Sequence, residues 1–128
     1  MKKYENFCKA LNNLKVIENY NEPYDTVTLT GLVGLYEICF EQAWKAMKEI
    51  LEDQGFPEAK TGSPKQILKT AFAAGLIKDE QTWLEALQTR NNVAHSYNEN
   101  IAMDIVKGAK DKYLQLFEEL DKSMQEYL

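Results

Sequence analysis

The chain has 128 residues, 45% of them apolar and 27% charged, with a formal net charge of −5. That length holds one domain, residues 1–128, burying roughly two-thirds of the surface an unfolded chain would expose. The ordinary composition excludes a disordered or fibrous class. The acidic balance excludes broad, nonspecific attraction to a nucleic-acid backbone, because counterion release rewards net basic surfaces, so any RNA contact has to be local.

No run reaches the roughly 18 consecutive apolar residues of a membrane span, and MKKYENFCKALNNLK lacks the continuous apolar block of a secretion signal. A cytoplasmic protein is expected. Tyr4, Phe7, Cys8, Leu11 and Leu14 recur at three- and four-residue steps, which predicts a first helix within residues 2–20. NEPYDTVT then supplies turn residues and a proline, with Thr28 or Thr30 as the cap of the second helix. From Leu29 to Leu51 the series Leu29, Leu32, Val33, Tyr36, Phe40, Ala43, Trp44, Met47, Ile50 and Leu51 keeps helical spacing over roughly 35 Å. Gly31 and Gly34 each cost about 1 kcal/mol against alanine in a helix interior, so either the helix starts late or another backbone packs close there. The stripe Phe40, Trp44, Met47 reads as core or dimer interface rather than a ligand pocket.

After QGFPEAKTG, the segment SPKQILKTAFAAG carries Ser63 at a cap position, Pro64 in the first turn, where its missing N–H is harmless, and Gly75 as the stop. Lys60, Lys65 and Lys69 flank this helix as solvated surface. Asp79 caps a fourth helix through Trp83, Leu84 and Leu87, which runs into QTRNNVAHSYN, residues 88–98. Residues 100–127 complete the pattern with apolar side chains at helical steps over about 40 Å. No convincing period-two strand occurs. The fold class expected is all-α, an antiparallel up-down bundle of four or five helices. Cys8 and Cys39 fall in apolar stripes, not in a CxxC or metal-ligand spacing, which predicts buried, reduced thiols. No Gly-rich phosphate loop, polymerase-type acidic pair or zinc-binding histidine pair is present, so no cofactor and no metal is called for.

The chemistry-bearing residues cluster in QTRNNVAHSYN. His95, the only histidine, has an ordinary pKa near 6.5 and can exchange a proton close to neutral pH. Arg90 stays charged and offers a forked donor suited to phosphate oxygens. Together they suit metal-free RNA cleavage: His95 as general base or acid at the 2′-hydroxyl or leaving oxygen, Arg90 stabilising charge on the phosphorus oxygens. Five residues on an ideal helix correspond to roughly 140°, so Arg90 and His95 do not share a face, whereas Asn91 and His95 do. Either the helix breaks near Asn92 and Val93 and swings His95 back, or two copies of the chain assemble the cluster across a two-fold dimer. The bland alternative is that Arg90 pairs with Glu85 or Glu41, Asn91 caps a turn and His95 satisfies a carbonyl.

Three segments, YEICFEQAWKAMKEILEDQG (36–55), SPKQILKTAFAAGLI (63–77) and WLEALQTRNNVAHSYNENIA (83–102), give the chain a resemblance to a known group. It resembles the small helical HEPN proteins of the nucleotidyltransferase substrate-binding type, encoded beside a minimal nucleotidyltransferase, and the likeness covers most of residues 1–128. The resemblance implies an antiparallel bundle that dimerises and pairs with that nucleotidyltransferase in a toxin-antitoxin module. In several such modules the HEPN protein is an RNase toxin. The family's catalytic arginine, polar neighbour and histidine match Arg90, Asn91 and His95. Its motif RxxxxHxY is completed by Tyr97, and the resemblance implies that the partner attaches adenylate to that hydroxyl and so silences the nuclease. A phosphate group two residues past His95 would block and repel an RNA phosphate together. The nucleotidyl-transfer chemistry then belongs to the partner. The competing expectation is a noncatalytic substrate-binding or docking subunit, to which the acidic balance is suited.

Overall fold

In the computed structural model, which describes residues 1–128, Asp25 starts the longest helix: its carboxylate accepts the Thr28 N–H at 2.7 Å. The helices are α1 (Lys2–Leu14), α2 (Thr26–Asp53), α3 (Pro64–Ala73), α4 (Glu80–Asn91), α5 (Glu99–Gly108) and α6 (Leu114–Gln125), with no strand. Short 3-10 turns occupy Lys15–Asn19, Pro57–Lys60 and Asn92–His95, and a π turn, Ala109–Tyr113, joins α5 to α6 as one rod. The predicted first helix is thus α1 plus its 3-10 turn, and the predicted last helix is the rod.

The cap of α2 is Asp25 rather than Thr28 or Thr30, and both expectations drawn from Gly31 and Gly34 fail. The helix starts early, at Thr26, and nothing lies within 4 Å of where a Cβ would stand on either glycine. The propensity cost is outweighed by packing, because α2 buries Leu29, Leu32, Val33, Tyr36, Phe40, Met47 and Ile50 along one face. In α3 the reciprocal cap forms: Ser63 Oγ accepts the Gln66 N–H at 3.3 Å while Gln66 Oε1 accepts the Ser63 N–H at 3.0 Å. Gly75 stops it at φ +82°, a conformation that glycine adopts without steric cost. Asp79 caps α4, accepting the Thr82 N–H at 3.0 Å.

Helix directions follow from four contacts. The Lys3 N–H donates to Glu49 at 3.1 Å and the Tyr4 hydroxyl to Asp121 at 2.6 Å, so α1 starts beside the ends of α2 and α6. The Ser123 hydroxyl donates to Leu76 O at 2.7 Å, just before α4, while Thr89 near the end of α4 lies 2.9 Å from the Tyr113 hydroxyl. Helices α1 and α4 therefore run one way, α2 and the α5–α6 rod the other, with α3 in the α2–α4 connection packed on both. This is an up-down bundle. At its centre Phe117 of α6 meets Phe7 of α1, Tyr36 of α2 and Trp83 of α4 at ring-centroid distances of 6.3, 6.0 and 5.6 Å. The buried Tyr36 hydroxyl donates to Ala86 O at 2.6 Å, which locks α2 to α4. Within the rod, Gly108 gives room to Tyr113: a Cβ there would stand 2.8 Å from the ring. Cys39 is buried and reduced as expected, whereas Cys8 is only half-buried, its thiol 3.8 Å from Asp121.

Candidate active site at the α4–α5 turn

The α-helical part of α4 ends at Asn91, beside the break expected near Asn92 and Val93. The chain then tightens into the 3-10 turn Asn92–His95, with three residues per turn instead of 3.6. Ser96 N–H then donates to Val93 O at 3.0 Å and Asn98 N–H to His95 O at 3.1 Å, which folds the chain toward the rod. The Asn98 side chain caps α5, accepting the N–H groups of Asn100 and Ile101 at 2.9 and 3.3 Å. Gln88 donates to the side chain of Asn92 at 3.1 Å, pinning the last turn of α4 to the 3-10 turn. A short, doubly capped corner results, and it presents the motif at one end of the bundle.

The four motif residues fall into two pairs. Arg90 turns toward α2, where its Nη2 forms an ion pair with Glu41, and its Nη1 donates to Asn91 Oδ1 at 3.4 Å. The same Glu41 oxygen accepts the Trp44 indole N–H at 3.1 Å, so Trp44, half-buried beside the core residues Phe40 and Met47, anchors the carboxylate. His95 and Tyr97 are both exposed, Tyr97 at 87%, with ring centroids 6.4 Å apart. No hydrogen bond joins Arg90 to His95 within the chain.

Of the bland contacts expected, the Glu41 pair forms, while Glu85 instead meets Lys112 at 3.6 Å. Asn91 stands at the N-cap of the 3-10 turn without a side-chain cap hydrogen bond, and the His95 imidazole satisfies no carbonyl. Burial raises the Tyr36 hydroxyl above its ordinary range, with Tyr113 and Cys39 adding to the shift, and the positive charge of Arg90 opposes it. The guanidinium is therefore close enough to the core to be felt there, yet its side chain is 28% exposed and reachable from solvent. Sequence reasoning missed the Trp44–Glu41 contact, although a spacing of three places both on one helix face. No three metal-ligating side chains gather anywhere in the chain. A cavity of about 330 Å³, lined by Ile77, Trp83, Leu116 and Leu120, lies at the opposite end of α4 from the motif.

Residues 2–126 match the model of a family described as nucleotidyltransferase substrate binding protein like. The chain belongs to that family. Among curated relatives of this substrate-binding family member, the probable ribonuclease HepT of Haemophilus influenzae is 29% identical over 79 residues, covering 60% of this chain. That match spans about half of the relative's length, 54%. A crystal structure of a Thermus thermophilus protein aligns with a TM-score of 0.80 at 28% identity, covering 94% of this chain and 98% of that one. A Haemophilus influenzae protein, described as revealing the fold of a substrate binding domain of a nucleotidyltransferase, aligns with a TM-score of 0.79. Its identity is 21%, over 95% of this chain and 98% of that one, so this likeness shows the fold alone. The family member is thus a HEPN-like helical bundle, and no helix is long and apolar enough to cross a membrane.

Proposed function

We propose that this family member is a metal-independent endoribonuclease toxin, silenced when a nucleotidyltransferase partner attaches adenylate to Tyr97. His95 acts on the 2′-hydroxyl or the leaving oxygen as general base or acid, and Arg90 stabilises the charge that builds on the phosphorus oxygens. Asn91 completes the set, its side chain already in contact with Arg90. The observation that carries the reading is the exposed pairing of His95 and Tyr97, with rings 6.4 Å apart. A hydroxyl that open is accessible to a modifying enzyme, and adenylate on it would crowd the imidazole and repel an RNA phosphate. The name of the Haemophilus relative, a probable ribonuclease, supports the same reading.

Because no hydrogen bond joins Arg90 to His95 within one chain, the active form in this reading is a two-fold homodimer in which two copies of the motif face one cleft. Replacing His95 with alanine should abolish cleavage of a labelled RNA and growth inhibition while leaving the melting temperature unchanged. Cleavage retained by that variant sinks the proposal. Co-expression with the partner should add the mass of adenylate to the wild-type chain but not to Tyr97→Phe.

A second reading is favoured by the −5 charge and by the neutralisation of Arg90 by Glu41. In it the protein is a noncatalytic subunit that presents a surface or substrate to the nucleotidyltransferase. Purified chain that cuts no RNA yet forms a stable complex with the partner supports this reading over the first.

A further inference from the structure

We infer that Glu41, anchored by Trp44, is a positioning residue that sets the direction of the Arg90 guanidinium; the inference rests on the nuclease reading above. Arginine is long and rotamer-rich, and an unanchored one on an exposed last turn loses side-chain entropy each time it grips a phosphate. Here that freedom is already removed. Glu41, on a different helix, takes Nη2, and Asn91 takes Nη1. The remaining N–H groups, on Nε and one on each terminal nitrogen, stay available for phosphate oxygens. Glu41 is itself held, because the Trp44 indole, a donor only, binds the carboxylate oxygen that receives Arg90. Glu41 and Trp44 are three residues apart on α2, so their geometry is set by a helix whose inner face is in the core. The chain Trp44–Glu41–Arg90 thus connects the bundle interior to a half-exposed cation. A pre-oriented donor costs no reorganisation when charge develops, which is the condition for electrostatic stabilisation of a transition state.

The test uses the full chain and a labelled RNA in single-turnover reactions with protein in excess. Glu41→Ala should lower the maximal cleavage rate at least about tenfold with little change in half-saturating concentration, since misplaced catalytic groups lose rate rather than binding. Glu41→Gln, which keeps an acceptor oxygen for both donors, should recover part of that rate, and Trp44→Phe should fall between. In an Arg90→Ala background, adding Glu41→Ala should change nothing, because Glu41 acts through Arg90. An additive loss in that double variant, a Glu41→Gln rate no better than Glu41→Ala, or a Glu41→Ala rate at or above wild type each overturns the positioning role. Equal rates for wild type and Glu41→Ala, with His95→Ala inactive, sink this inference alone. Wild-type chain that cuts no RNA, or His95→Ala that cuts as fast as wild type, removes the nuclease reading and this inference with it.

Discussion

Burial at Cys39 makes the thiolate its costly form, which pushes the thiol pKa well above its ordinary value. Cys8 is also raised, by desolvation first and by the neighbouring Asp121 charge, opposed by its hydrogen bond with Tyr4. Since the thiolate is the reactive species, native protein at pH 8 should react with a thiol-alkylating reagent slowly at Cys8 and more slowly still at Cys39. Peptide mass spectrometry of timed samples checks this. Labelling of Cys39 in buffer as fast as in concentrated urea would contradict its buried position. The same residue-level reasoning separates His95 from Arg90: the first stands in solvent without a partner, the second is held by Glu41 and Asn91.

Single helices are specified at their ends. Asp25 and Asp79 hold carboxyl pKa values below the ordinary range, chiefly because each accepts a backbone N–H, from Thr28 and Thr82. A carboxyl whose folded pKa is lowered contributes stability above its unfolded pKa of about 4 and loses it as the pH falls through the lower folded value. Asparagine caps as well as aspartate but does not titrate. The Asp25→Asn, Asp79→Asn double variant should therefore lose less stability than wild type between neutral pH and about pH 3. Urea midpoints at the two pH values measure it, and parallel losses would show that the caps are not linked to the acid dependence. The rod shows a different kind of element logic. Its π turn, Ala109–Tyr113, sits where Tyr113 turns its ring against Gly108. The apolar period through residues 100–127 continues across that turn, which is why the sequence reads as one uninterrupted helix.

For the whole molecule, the central device is Phe117, where side chains from α1, α2 and α4 converge on α6. Phe117→Ala should destabilise the bundle by about 3–5 kcal/mol, the usual cost of removing a large core aromatic that its neighbours cannot replace. Equilibrium urea unfolding gives the value. A loss under about 1 kcal/mol would mean the four helices are held elsewhere, since that is the scale of a surface change. The convergence also bears on the motif: Trp83 and Ala86 are buried on the inner face of α4, and Arg90 follows one turn later toward α2. Core packing thus determines the side of the bundle on which the arginine emerges.

By itself the sequence determined the helices, their order and most of their ends, because periodicity and caps are local. Ser63, Asp79 and Gly75 act within one turn of where they stand, and the buried stripes of α2 and α6 follow their apolar spacing. It also singled out Arg90, Asn91, His95 and Tyr97 as the candidates for chemistry that the proposal above uses. Only the tertiary structure decided that Gly31 and Gly34 lie inside a continuous helix, since packing of the opposite face outweighs their propensity. It alone settled that α4 passes into a 3-10 turn after Asn91 and that Glu41, distant in sequence, takes the guanidinium. A contact between helices depends on how two faces rotate against a shared core, and neither helix carries that rotation in its own spacing.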